Sequence, residues 1–194
     1  MNKQIIQNIE YKKGFTIIET LVAIAILMIS IAGPLTIAEK GYNAGILARD
    51  QVIAAYLAQD ALEYIKNIKD NNLMASPPRN WLMELTSGNS CDYESSVCSV
   101  DTVSGNPNAP GGSLAICIPS DPISCLLYLG DNGYTHNSSG TIATKYSRYF
   151  YIDTGGQAYN DANLANLVVV VKWTGIGGVD NIITFKNDIY NVPK

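Results

Sequence analysis

The order of apolar and polar positions divides the chain into three textures. From Ile17 to Leu35 it reads IIETLVAIAILMISIAGPL, apolar around the whole circumference of a helix. With a few flanking residues this reaches the ~20 residues that cross a bilayer at about 1.5 Å each. Gly33 and Pro34, near its outer end, are expected to bend or loosen it. Further on the apolar positions narrow to one face. Ile46, Ile53, Leu57, Ala61, Tyr64 and Ile68 recur at spacings of three, four and seven, while Lys40, Arg49, Asp50, Gln59, Asp60, Glu63, Lys66 and Lys69 fill much of the rest. The Asp-Asn-Asn at 70–72 and Pro77-Pro78 are expected to end the element. One helix of more than fifty residues follows, its first half suited to lipid or other apolar helices and its second to a sheet.

From about residue 79 the texture changes. Residues 86–113 are dense in Ser, Gly, Asn and Pro and read as loop pinned by disulfides. Short strands are expected at 114–118 (LAICI) and 125–130 (CLLYLG), turn at 130–140, and a strand at 147–153 (SRYFYID). The segment NLVVVVKWTGIGGVDNIITFKNDIY is the clearest hairpin, two strands around a Gly-rich turn. A long helix followed by an antiparallel sheet is an α+β arrangement.

Composition sharpens this picture. Charged residues are 15% of the chain, against roughly 25% in an average soluble protein. The deficit is local, because Glu19 is the only ionisable side chain between Phe15 and Glu39. Residues 1–14 carry Lys3, Lys12 and Lys13 against Glu10, a balance of +2, so the remainder of this −4 chain holds −6. A basic flank before an apolar helix stays on the cytoplasmic side. The acidic remainder has no basic patch, which argues against nucleic-acid binding. No small-x-small cleavage site closes the apolar segment, so it is expected to be retained. Four cysteines, Cys91, Cys98, Cys117 and Cys125, all follow it and allow three disulfide connectivities. Cys91–Cys98 with Cys117–Cys125 is favoured, since each pair closes a short local loop. Their spacing fits no common zinc pattern.

The stretch KKGFTIIETLVAIAIL at 12–27 resembles the N-terminus of type IV prepilins and of the pseudopilins of type II secretion. Gly14, Phe15 and Glu19 match the family's leader-ending Gly, methylated aromatic residue and fifth-position Glu. RDQVIAAYLAQDALEYIKNIKDNN resembles the amphipathic helix of minor pilins of the pilus-modification type, and VVVVKWTG with DNIITFKNDIYN their closing hairpin. The resemblance implies a type IV pilin-like α+β fold in four parts. These are a basic leader at 1–14, a hydrophobic half-helix at 15–38, an amphipathic half-helix at 39–73 and a disulfide-stabilised head at 74–194. It implies cutting between Gly14 and Phe15 by a prepilin peptidase at the cytoplasmic membrane, where Lys12 and Lys13 hold the site, and N-methylation of Phe15. Other pilin subunits are the implied partners, with an extracellular filament as the destination. Glu19 then has a reason to exist. An unpaired carboxylate in apolar surroundings costs several kcal/mol, and in the family it faces the terminal amine of a neighbouring subunit. The bland alternative is a carboxylate that snorkels to the cytoplasmic interface.

Other signals carry less. The YIDTGG at 151–156 echoes an aspartic protease, but that chemistry needs two facing carboxylates, and a strand-ending turn is expected. His136, the single histidine, stands in Gly/Asn-rich sequence without a nucleophile elbow and is expected to be a solvated loop residue. Some pseudopilin heads bind calcium, yet neither Asp131 with Asn132 nor Asp153 with Asp161 fits an EF-hand loop, and no metal or cofactor is expected. The Asn137-Ser138-Ser139 sequon is a three-residue pattern of low specificity. The cluster Tyr134, Tyr146, Tyr149 and Tyr151 suits sheet packing. The expectation is a structural subunit and no enzyme. A pseudopilin and a signal-anchored secreted enzyme or binding protein are the competing classes.

Overall fold

The computed structural model describes residues 14–77, 79–86, 91, 97–103, 114–121, 123–153 and 163–192. The leader lysines Lys12 and Lys13, the Thr-Gly-Gly of the YIDTGG stretch and Asp161 lie outside the described residues. The chain forms two compact units, residues 1–45 and 46–194.

Helix α1 (Ile17–Met74) runs for 58 residues. Within the first unit every described residue is exposed, as expected for a segment whose side chains are apolar in all directions. Pro34 lies inside α1, and the helix continues through Gly33 and Pro34 without a break. The expected loosening therefore does not interrupt it. Pro34 leaves the Ser30 carbonyl without its usual N–H donor. Nearby hydroxyls turn back onto the helix instead, Ser30 to the Ile26 carbonyl and Thr36 to the Gly33 carbonyl at 2.8 Å.

In the second unit α1 lies on a sheet. Its buried residues are Ala54, Leu57, Ala58, Ala61, Leu62, Ile65 and Ile68, joined by the polar Asp50 and Asn72. The buried stripe is centred about one position from the one read off the sequence, so Ile46, Ile53 and Tyr64 are only half-buried. Small Ala side chains mark where the helix approaches the strands, a signal weaker than Ile or Tyr in a hydrophobicity count. The Asp-Asn-Asn run does not end the helix, which continues to Met74. A short helix α2 (Met83–Thr86) follows and buries Leu85.

The sheet has seven strands: β1 (Val97–Val100), β2 (Leu114–Cys117), β3 (Leu126–Gly130), β4 (Gly133–Thr135), β5 (Ile142–Asp153), β6 (Leu164–Thr174) and β7 (Asp180–Tyr190). All pairings are antiparallel. Strand β5 is long enough to hold two hairpins end to end along one edge. The β3–β4 hairpin joins near its start, with Leu126 opposite Ser147, and the β1–β2 hairpin near its end, with Cys98 opposite Phe150. Its other edge takes β6, which in turn takes β7. The Gly-rich turn before β7 places Gly177 and Gly178 at φ of 76°, a conformation that favours glycine.

Two sequence expectations are corrected here. The segment 86–113 is not loop throughout, because β1 forms within it. The turn material at 130–140 contains β4. Strands of four and three residues are too short to show alternation; β1 is held by pairing with β2 and β5, and β4 by a tight hairpin with β3.

The core between helix and sheet gathers Phe150 and Ile152 of β5 and Leu167, Val169, Val171 and Trp173 of β6. On the opposite face Tyr149, Val168 and Val170 are buried with Cys117 and Cys125. The unbroken Val168–Val171 run is thus explained, since β6 is covered on both faces. The disulfides are Cys91–Cys98 and Cys117–Cys125, the local pairing. Cys91–Cys98 sits in the helix-side core and Cys117–Cys125 in the opposite layer.

Candidate functional site: the helix start and the buried ion cluster

At the start of α1, Gly14 has open space around it and Phe15 is 81% exposed. Thr16 precedes the first helical residue and its Oγ1 accepts the Glu19 N–H at 3.3 Å. Thr-x-x-Glu is the pattern of a capping box, which satisfies N–H groups that have no partner inside the helix. The Glu19 carboxylate also stands in the first turn, where the positive end of the helix dipole favours an anion. Glu19 is exposed, and among the described residues no cation pairs with it. α1 contains an 18-residue window of mean hydropathy 2.4, long and apolar enough to cross a membrane.

A second constellation binds the helix to the head. Asp50, placed on the polar side by sequence, is 1% exposed. It lies four residues before Ala54 and seven before Leu57, on the buried stripe, and tolerates burial because β5 brings two donors to it. Lys145 Nζ donates to its Oδ2 at 2.6 Å and the Tyr146 hydroxyl to its Oδ1 at 3.2 Å. Burial, then the Asp50 charge, raises the Tyr146 pKa above the ordinary phenol range. Two turns further on, Arg148 is wholly buried. Its Nη1 donates to the Leu57 carbonyl and to Asp60 Oδ2, both at 2.9 Å, and its Nη2 to the Val100 carbonyl at 2.8 Å. Thr102 donates to the same Asp60 oxygen at 2.6 Å. Burial lowers the Arg148 pKa, while Asp60 by hydrogen bond and charge, and Asp101 by charge, act the other way.

Asp101 completes the cluster by accepting from the Thr135 hydroxyl at 2.5 Å and the His136 N–H at 3.3 Å. His136 is therefore not a solvated loop residue. Its Nδ1 donates to the Leu126 carbonyl at 3.0 Å, and its Nε2 is buried without a partner. Burial chiefly, with the Arg148 charge, lowers its pKa to about 4, against smaller opposing effects of the Leu126 bond and Asp101. The ring is neutral at pH 7. These groups hold helix and strands in register and expose no nucleophile beside a base.

Residues 11–33 match the family model of the prokaryotic N-terminal methylation motif. The chain is type IV prepilin- or pseudopilin-like. No curated protein and no solved structure matches it. The motif spans the helix start just described, and its presence in a prepilin-like chain implies processing by prepilin peptidase and assembly with other pilin subunits. Together with the apolar half of α1 it fits membrane anchoring.

In this prepilin-like chain Gly14, Phe15 and Glu19 lie together at one end of α1, while Gly33 and Pro34 lie farther along the same helix. The four cysteines are structural and buried in the head. Asp131 and Asn132 are exposed at the β3–β4 turn and Asp153 ends β5. Among the described residues no three His, Cys, Asp or Glu side chains converge as a metal site. Tyr146 and Tyr149 are buried in the sheet, on opposite faces. Sequence reading missed Asp50, Asp60 and Arg148 as a set. Their partners lie about ninety residues apart, and the one local clue was a carboxylate in phase with the alanines.

Proposed function

We propose that this chain is a minor subunit of an extracellular type IV pilus-like filament, made as a prepilin, cut between Gly14 and Phe15, and methylated on Phe15. The observation that carries the reading is the methylation motif joined to a helix start whose Gly14 and Phe15 are uncovered, followed by an apolar segment and a separately packed head. A peptidase must hold an extended peptide, which an uncrowded glycine permits. The protein is a building block rather than an enzyme: chemistry is done to its N-terminus. After cutting, Glu19 lies four residues from the new amine, placing an anion where a neighbouring subunit's cationic terminus can meet it in the filament core. Such a pair is favourable only when both charges leave lipid together, so it fixes axial register as well as attachment.

Mass spectrometry of the mature protein tests this. An N-methylated chain beginning at Phe15 is the expected result, and a mature chain that keeps residues 1–14 refutes it. Filament fractions that hold the protein at low stoichiometry beside a more abundant pilin support the minor-subunit assignment over a pseudopilin.

A further inference from the structure

Strand β7 is an edge strand, paired only with β6 among the described residues. The Asn191 N–H reaches the Asn163 carbonyl at 2.9 Å and the Gly175 N–H reaches the Val179 carbonyl at 2.8 Å. The register between them is unbroken, so odd-numbered β7 residues exchange their backbone bonds with β6. Even-numbered residues, from Asp180 to Tyr190, therefore turn N–H and C=O outward. Their side chains are all exposed, whereas Ile183, Phe185 and Ile189 pack on the core. Among the described residues the edge is a long, regular row of open hydrogen-bonding groups.

Charges on an edge strand usually discourage pairing. Here their order suits one partner, the same strand reversed. We infer that β7 pairs with β7 of a second copy, antiparallel about a dyad at Asn187. That register sets Lys186 opposite Asp188 of the second copy twice over. It also sets Thr184 opposite Tyr190, and Ile182, 59% exposed, opposite Val192, 67% exposed. Opposite charges and apolar pairs directly across strands are favourable, and like charges are not. Registers centred on Lys186 or Asp188 would oppose like charges. One centred on Ile183 also matches Lys186 with an acid, Asp180, but sets Ile182 against Thr184.

A dyad reverses the direction of β7, and all subunits of one filament point the same way. If the chain is a filament subunit, as proposed above, the second copy therefore lies outside the filament of the first. One strand pair is a small interface, so the association is weak and short-lived in solution.

Oxidative cross-linking of the full chain in detergent micelles tests this. Residues opposed at a non-hydrogen-bonded position have Cα atoms about 4.5 Å apart, within disulfide reach. Asn187→Cys is expected to form disulfide dimers at least tenfold faster than Ile182→Cys, whose two copies are roughly 34 Å apart in this register. Lys186→Asp on the Asn187→Cys background is expected to slow cross-linking severalfold, and adding Asp188→Lys to restore it. Equal rates at 187 and 182, preferential cross-linking through Ile183→Cys, or no effect of Lys186→Asp would each overturn the inference. The assay does not depend on N-terminal processing, so its failure leaves the N-terminal reading to the mass measurement.

Discussion

Removing Arg148 and removing Asp60 should have unequal costs, and the order follows from burial. Arg148 is wholly buried, whereas the Asp60 side chain is 51% exposed. In Arg148→Met the stranded group is a carboxylate that water can reach and that keeps the Thr102 hydroxyl. The lost bonds to Leu57 and Val100 are offset by sparing a guanidinium its desolvation, so the expected cost is about 1–2 kcal/mol. In Asp60→Asn the stranded group is a buried cation whose hydrogen bonds go to neutral carbonyls, with Asp101 the one remaining charge among the described residues that favours it. Breaking a buried pair in that direction costs about 3–5 kcal/mol. The double variant should resemble Arg148→Met, because once the cation is gone the anion has little left to neutralise. Trp81 and Trp173, the chain's only tryptophans, are both buried in the head, so urea unfolding of the full chain in detergent can be followed by their fluorescence. If Arg148→Met proves as costly as Asp60→Asn, or the two costs add, the account of the cluster is wrong.

Three further expectations use the same material. His136 binds a proton near pH 6.5 when unfolded but near 4 when folded, so stability should be level above about pH 6.5 and fall by about 3 kcal/mol toward pH 4. His136→Gln should remove that part of the slope, most cleanly between pH 6.5 and 5, and urea midpoints across that range would show it. Replacing Cys91 and Cys98 together by serine should cost about 2–3 kcal/mol from the loop of seven-residue separation, read as a lower urea midpoint that reductant no longer shifts independently of Cys117–Cys125. Glu19→Gln keeps the main-chain N–H that Thr16 caps. It should leave α1 and membrane insertion intact while incorporation into filaments falls by at least tenfold. Wild-type recovery in sheared filament fractions would remove the assembly role of Glu19.

What could be read from the sequence was what local order encodes. The all-round apolar segment, the amphipathic continuation and the β6–β7 hairpin announce themselves through period and turn residues, and the short cysteine spacings favoured the observed disulfides. The Gly14-Phe15 pair with Glu19 was legible because several unrelated residue types coincide there. Strands β1 and β4 were not, since three or four residues carry no period; β1 also depends on remote partners, and β4 was hidden in the turn composition of its own hairpin. Asp50 was misplaced for a related reason. A lone carboxylate reads as solvent-facing until Lys145 and Tyr146 are brought to it by a strand ninety-five residues away. His136 was read from its polar neighbours, although Leu126 and Asp101, distant in sequence, decide its surroundings.

The placement of the two cystines on opposite sides of the seven-stranded sheet lets its two layers fail separately. A thiol agent that opens Cys117–Cys125 loosens the layer remote from the helix and leaves the helix-bearing side braced. Opening Cys91–Cys98 does the reverse. The head can therefore suffer chemical wear on its far layer without loosening its grip on the helix.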